Sequence, residues 1–254
     1  MNNLKTREDI VHLKISGKIL ASVLNELKKK AVIGASLKSL DLKARELIKS
    51  LDAKSAFFGY QSKKDSRPYP AAICTSVNEK IVHTIPDKYI LKNGDVLKID
   101  LGINYKSYIT DAAITIGIGK ISPLAEKLIK ATRTALYEAI KICRPGKKIG
   151  DIGWVIESTV KNYGFSVVKK LTGHGVGFEL HEEPSVYNFG EQGTGIELEE
   201  GLVLAIEPMV AAGSGELIEK ENGEFFTKDG SLSAHFEHTV AITKNGPEIL
   251  TLIE

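Results

Sequence analysis

Apolar residues recur at helical spacing in two stretches near the start of the chain. The first stripe lies in residues 6–30 and the second in residues 37–51, and Ser36 is a candidate N-cap for the second helix. Neither stripe contains a cluster of polar side chains. Both helices are therefore predicted to cover a core, and the chemistry is expected elsewhere in the chain.

After these helices the sequence changes to segments rich in Ile, Val, Thr and Tyr, a composition that favours strands. A polar run at residues 62–67 predicts a loop. The strands predicted for this part of the chain cover residues 71–77, 96–103 and 108–118, with a short turn over residues 104–107.

The second half repeats this order of elements. Ser122 followed by Pro123 predicts the start of a helix that runs to Cys143, and another apolar stripe predicts a helix from residue 149 to near Gly164. Strands are predicted at residues 165–171, 201–206, 225–227 and 235–243, and loops at residues 188–200 and 211–224. The halves, about 6–118 and 122–254, suggest a duplicated α+β unit in one domain, 1–254, whose strands meet in one sheet covered by helices.

Composition and charge exclude several classes of protein. The formal net charge is +2, so nothing in the charge favours binding to nucleic acid or to an acidic membrane. No run of 18 apolar residues is present, and the first residues lack the apolar segment of a signal peptide. The two cysteines, Cys74 and Cys143, lie far apart and form no disulfide framework. A cytoplasmic location is expected.

One short stretch, residues 171–184, concentrates unusual residue types. It holds two of the six histidines, His174 and His181, and glycines alternate around the first at Gly173, Gly175 and Gly177. Such glycines allow a backbone to approach another strand or a ligand very closely. Both histidines are therefore candidate metal ligands or acid–base groups.

Acidic residues interrupt the apolar strands that would surround these histidines. Asp100 and Asp111 lie in the strands on either side of the turn at 104–107, and a turn centred between Tyr105 and Lys106 would place them opposite each other. Two opposed carboxylates repel unless a proton or a cation lies between them. This pair is the first indication of a cation site.

Two further acids occupy comparable positions in the second half. Glu207 ends an apolar run before Pro208, and Glu237 is predicted to lie within the strand 235–243. Four acids on strands with one imidazole suit two ions such as Mn, Fe, Co or Zn, about 3.5–4 Å apart and sharing carboxylates. Such a pair activates water and polarises a carbonyl group, so the expected reaction is metal-assisted hydrolysis. His83 and His181 would then hydrogen-bond the substrate or a developing oxyanion.

Several strings around these residues resemble the methionine aminopeptidases, metallopeptidases of the pita-bread (creatinase) fold. The strings are Cys74-Thr75-Ser76-Val77-Asn78-Glu79 with His83-Thr84-Ile85-Pro86, Gly173-His174-Gly175-Val176-Gly177 with His181-Glu182-Glu183-Pro184, Ile206-Glu207-Pro208-Met209, and Phe236-Glu237-His238-Thr239. No long insertion separates His181 from Glu207 or Glu207 from Glu237, and no cysteine-rich zinc extension is expected before the first helix. The resemblance is therefore to the type I branch.

The resemblance implies a fold, an activity and partners. The fold would be α+β, with a pseudo-two-fold repeat and a curved, mainly antiparallel sheet under helices. The activity would be removal of the N-terminal methionine from nascent proteins and peptides, with a preference for a small second residue. Two divalent metal ions (Co, Mn, Fe or Zn) are the implied cofactors. Contact with the ribosome is implied by the family, and a monomer is expected for a chain of this size; no membrane or specific nucleic acid is expected as a partner.

The resemblance also implies roles for the acids and for His174. Asp100 would chelate one metal and His174 the other, while Asp111 and Glu237 would bridge the two ions. Glu207 would bind metal and take part in proton transfer.

Other residues would contact the substrate. His83 and His181 would contact the substrate amide and the tetrahedral intermediate, and the methionine pocket would include Tyr60, Tyr69 and Cys74. The chain departs from the family pattern mainly around this pocket: Gln61 replaces a frequent His, the run 62–67 is inserted, and Leu180 replaces a frequent Phe. The usual pocket Trp is absent, with Phe225 or Phe226 as its substitute.

Two alternatives remain open. A proline-specific aminopeptidase or dipeptidase of the same fold would use the same ligands, although those enzymes usually carry an additional N-terminal domain. A binding protein that has lost its metal would also keep the fold, but such relatives lose ligand residues, and all five are present here.

Overall fold

The computed structural model describes residues 4–61, 67–220 and 223–252. Most of the predicted insertion, residues 62–66, lies outside the described part. The predicted helices are confirmed, with Ser36 and Ser122 accepting hydrogen bonds from the backbone N–H of Ser39 and Ala125 at 3.0 and 3.2 Å. The helices are α1 (Arg7–Lys30), α2 (Leu37–Ser50), α3 (Pro123–Lys141) and α4 (Ile149–Asn162).

The strands are more numerous and mostly shorter than predicted. A strand replaces part of the predicted loop 211–224. Five strands, at residues 54–55, 172–175, 182–187, 209–211 and 246–249, have no counterpart in the prediction. The strands are β1 (Lys54–Ser55), β2 (Cys74–Val77), β3 (Val96–Tyr105), β4 (Tyr108–Gly117), β5 (Ser166–Val167), β6 (Thr172–Gly175), β7 (Glu182–Tyr187), β8 (Val203–Ile206), β9 (Met209–Ala211), β10 (Leu217–Glu219), β11 (Phe225–Thr227), β12 (Ser233–His235), β13 (His238–Thr243) and β14 (Gly246–Ile249).

Strand pairing divides the predicted single sheet into several parts. In the described residues the strands form four hydrogen-bonded sheets, and every pair within them is antiparallel. β3 lies between β2 and β4 in the first half, while β14, β13, β8, β6 and β7 follow in that order in the second. The expected α+β arrangement, antiparallel strands under helices, is therefore present, although short breaks, such as residues 207–208 between β8 and β9, interrupt the ladders.

The helices cover these sheets, and a large apolar core lies between the layers. Helix α1 packs on β3 and β4, and α3 packs against α4 and the strands of the second half. Leu24, Leu101, Leu136 and Leu204, from α1, β3, α3 and β8, belong to one buried cluster. Both halves thus contribute to the same core. Among the described residues, no helix is both long and apolar enough to cross a membrane.

Candidate active site

The two aspartates lie on neighbouring strands, but not in the predicted register. Asp100 of β3 is paired with Ala113, and Asp111 of β4 is paired with Gly102. The prediction that the aspartates are direct partners was wrong, because the turn is formed by Lys106 and Ser107 and shifts the register by two residues. A shift of two keeps side chains on the same face, so the aspartates are diagonal neighbours.

Glu237 reaches these aspartates from the second half of the chain. It lies in the break between β12 and β13, so its predicted position inside a continuous strand was wrong. Its backbone N–H donates to Ala113 O at 2.9 Å. Next to this contact, Thr239 Oγ1 accepts from Asp111 N–H and donates to Asp111 O, both at 2.8 Å. These bonds join the two halves at the segments that carry the acids.

His174 and Glu207 come together through the pairing of β6 with β8. His174 lies opposite Ala205, and Glu207 follows β8 directly. A β-carbon at Gly173 would overlap Ala205 O and lie 3.3 Å from Glu207 Cγ, so only glycine fits there. His174 Nε2 lies 3.5 Å from Glu207 Oε1.

These acids share a buried environment that disfavours their charged forms. Burial raises the pKa of Asp111, and burial together with the charge of Asp111 raises the pKa of Asp100 well above its usual range. The pKa values of Glu207 and Glu237 are raised by burial first and then by the neighbouring carboxylates. Burial lowers the pKa of His174 to about 3, so its imidazole is neutral and can act as a ligand.

The donor set fits divalent cations. Asp100 Oδ1, Asp111 Oδ1 and Glu237 Oε1 are buried without a hydrogen-bond partner among the described residues. Ligand atoms of Asp111, His174 and Glu237 lie within 4.8 Å of one another. Buried carboxylate oxygens without partners are costly. Cations would remove both this cost and the mutual repulsion, and hard or borderline ions prefer such oxygen and imidazole ligands.

The structure adds one residue that the sequence interpretation missed. His235, at the end of β12, is buried, and its Nε2 lies 3.2 Å from Glu207 Oε2. Ligand atoms of Glu207, His235 and Glu237 form a second group within 4.8 Å. Neither ring nitrogen of His235 makes a hydrogen bond to the described part of the chain. The sequence could have indicated His235, because it lies two residues before Glu237 and alternate residues of an extended chain share a face.

An open cleft of about 670 Å³ leads to this cluster. Its lining includes His83, His174, His181, Glu207 and Met209. The rings of His174 and His181 are 4.5 Å apart, centroid to centroid. The Tyr60 hydroxyl lies 2.6 Å from His181 Nδ1. If this hydroxyl donates, the ring proton of His181 is on Nε2, the tautomer that a donor to a substrate carbonyl requires.

The three predicted pocket residues lie in one apolar cluster beside the acids. Cys74 in β2 is the direct partner of Asp100 in β3. The Tyr69 hydroxyl donates to Ile73 O and Thr84 O at 3.1 and 3.2 Å. Tyr60 and Tyr69 are partly buried, and both pack against the cluster that contains Cys74 and Leu180.

One of the two phenylalanines proposed to replace the pocket Trp lies at the cleft. The Phe225 ring is 5.4 Å from the His83 ring, at an angle of 67°. Phe226 instead lies beneath the ammonium groups of Lys80 and Lys220. The geometry therefore favours Phe225. His83 itself has a φ of 61°, a conformation that is uncommon for residues other than glycine.

The class of the protein follows from the family that its sequence matches. Residues 11–244 match metallopeptidase family M24. The chain belongs to this family, as its buried carboxylates and imidazoles suggest.

Within the family, the chain is similar over its whole length to methionine aminopeptidases. It is 44% identical to the methionine aminopeptidase of Aquifex aeolicus, over 98% of both chains. The crystal structure of methionine aminopeptidase from Thermotoga maritima superposes with a TM-score of 0.95 at 42% identity, over 100% of both chains. The prolidase of Pyrococcus horikoshii has a TM-score of 0.79 at 22% identity, and the chain covers 65% of it. That likeness shows the shared pita-bread fold alone.

Proposed function

We propose that this chain is a single catalytic domain that removes the N-terminal methionine from nascent proteins and peptides by dinuclear metal-assisted hydrolysis, with a preference for a small second residue. The observation that carries the proposal is the cluster of four buried acids and His174 at the base of a cleft. The apolar cluster containing Cys74 lies directly beside it. The full-length similarity to methionine aminopeptidases supports the same activity.

Five residues would hold two divalent ions, with Co, Mn, Fe and Zn as the candidates. Asp100 would chelate one ion and His174 the other, with Asp111 and Glu237 between them and Glu207 beside His174. When bound, the ions would lower the pKa of a water molecule and polarise the scissile carbonyl group.

The remaining polar side chains would handle protons and charge on the substrate. The carboxylate of Glu207 would accept a proton from the attacking water and return it to the leaving amine. Nε2–H of His181 would donate to the carbonyl oxygen as negative charge develops there. His83, which lines the same cleft, would hydrogen-bond the substrate amide.

The apolar cluster supports the choice of methionine. Tyr60, Tyr69 and Cys74, with Phe225 near His83, would surround an unbranched apolar side chain next to the metal ligands. Sulfur and aromatic rings make favourable contacts, so a thioether suits a pocket of this composition. A buried Cys74 thiol, whose pKa is raised first by burial and then by Asp100, remains neutral and adds to the apolar lining.

A direct assay compares Met-Ala-Ser with a matched Xaa-Pro peptide. We expect Met-Ala-Ser to be cleaved in the presence of Mn or Co, and cleavage to stop when a chelator removes the metal. Preferential cleavage of the Xaa-Pro peptide would instead favour the proline-specific alternative. A protein that binds no divalent ion and cleaves neither peptide would favour the binding-protein alternative.

The proposal extends to the setting of the reaction. We propose a monomer that acts in the cytoplasm on chains emerging from the ribosome. Sedimentation velocity tests the monomer, and co-sedimentation with ribosomes tests the contact. A dimer at micromolar concentration, or the absence of ribosome binding at low salt, would contradict the corresponding part.

A further inference from the structure

A buried ion pair joins the segment before α1 to the substrate-facing loop. The Lys5 ammonium contacts the Glu182 carboxylate, and only 1% and 3% of these side chains are exposed. The ammonium also lies 4.9 Å from the centre of the Phe178 ring. The two residues are 177 positions apart. The pair therefore connects the start of the described chain to the loop that carries His181.

Lys5 is itself held firmly by its neighbours. Its backbone N–H donates to Gly201 O at 2.7 Å. The next residue, Thr6, is the N-cap of α1 and forms a capping box with Asp9. A side chain that extends from such an anchored backbone can fix the position of what it binds.

Glu182 transmits this restraint into the loop. Its Oε1 accepts hydrogen bonds from the backbone N–H groups of Phe178 and Glu179, at 2.7 and 3.0 Å. Its other oxygen, Oε2, contacts Lys5. One carboxylate thus closes the turn of the loop and ties it to the N-terminal segment, and Glu182 directly follows His181.

Gly177 shows how closely Lys5 approaches the loop. A β-carbon at Gly177 would overlap Lys5 Cε, and the φ of this glycine is 146°. Its carbonyl oxygen accepts from Ile109 N–H at 2.6 Å. The positive φ favours glycine at this position, and the lysine stem passes directly beside it.

Stability alone does not explain the burial of this pair, because desolvation offsets much of the attraction between two buried charges. We propose that Lys5 is a positioning residue for His181: through Glu182 it holds the loop 176–182 so that the His181 ring stays against Tyr60 and His174. The activity part of this inference rests on the proposed function, whereas the structural part does not.

The test compares Lys5→Met with a matched control, Arg7→Met. The control removes a cation two residues away. A guanidinium nitrogen of Arg7 lies 4.0 Å from the Glu200 carboxylate, and the side chains of Arg7 and Glu200 are 81% and 49% exposed. We expect Lys5→Met to lower kcat for Met-Ala-Ser at least tenfold with metal content unchanged, and Arg7→Met to behave like the wild type. Lys5→Arg, which keeps the cation, should recover part of the loss.

Imidazole NMR signals of His181, assigned with His181→Asn, provide a readout independent of turnover. They should shift in Lys5→Met and remain in place in Arg7→Met. Unchanged signals with wild-type kcat in Lys5→Met would overturn the proposal. If the wild type does not cleave Met-Ala-Ser but Lys5→Met still shifts the His181 signals, the positioning role is supported and the proposed function is contradicted. If Lys5→Met does not fold, Glu182→Gln removes the charge on the other side of the pair and answers the same question.

Discussion

Replacement of Gly173 by Ala should disturb the metal ligands through the backbone. The added β-carbon would lie closer than 3.0 Å to Ala205 O and at 3.2 and 3.3 Å from Val186 Cβ and Glu207 Cγ. Because a backbone carbonyl cannot rotate away as a side chain can, the β6–β8 ladder must open by roughly half an ångström or more. Catalytic side chains must be held within about half an ångström of their productive positions, so this opening exceeds what the site tolerates. The 3.5 Å spacing between His174 and Glu207 would then change.

The expected magnitude follows from this displacement. Misplacement by about 1 Å costs about 10²-fold in rate, so kcat should fall about 10- to 100-fold. Overpacking should lower the free energy of unfolding by about 1–3 kcal/mol. Steady-state cleavage of Met-Ala-Ser gives kcat, and isothermal titration with Mn gives the metal affinity, which should also fall.

A second glycine variant separates the local effect from general overpacking. In Gly117→Ala, at the end of β4, the atoms nearest to the new β-carbon all belong to the Ile121 side chain, the closest at 2.6 Å, and that side chain can move. We expect a small loss of stability with kcat and metal affinity unchanged. If Gly173→Ala kept kcat and metal affinity within twofold of the wild type, the reasoning from the Ala205 carbonyl would be refuted.

Three further results are expected. Glu207→Gln should lower kcat by about 10²- to 10⁴-fold, because an amide cannot accept a proton from water and return it to the leaving amine. A loss below tenfold in a peptide-cleavage assay would contradict the proton-transfer role of Glu207. His83→Ala should lower kcat while elemental analysis finds metal content nearly intact, and an emptied site would show that His83 is a ligand. Removal of metal should lower Tm, and Mn at 100 times its Kd should restore about 2.7 kcal/mol of stability; equal Tm values with and without Mn would contradict a site formed by buried acids.

The sequence alone determined the helices and the identities of the clustered acids. Apolar spacing and the caps at Ser36 and Ser122 are local properties, and each cap makes its expected hydrogen bond. Acids such as Asp100 and Asp111 inside apolar strands are unfavourable without a partner, so the apolar residues on either side of them already mark them as unusual. The glycines around His174 then marked this imidazole as a candidate ligand for the same site, and the fold brings it to the same cluster.

Only the tertiary structure decided the register and the distant partners. A slip of two residues leaves each side chain on the same face, so alternation cannot distinguish the predicted pairing of Asp100 from the observed one. The turn at Lys106 and Ser107 has φ values of 51° and 70°, which fit a two-residue hairpin turn. Neither residue is the glycine or asparagine that such turns usually contain, so the sequence did not indicate where within residues 104–107 the turn lies. The approach of His235 to Glu207 depends on the break before β13. The contact between Lys5 and Glu182 depends on how the two halves pack, which no local pattern specifies, because residues so far apart meet only when the whole core has formed.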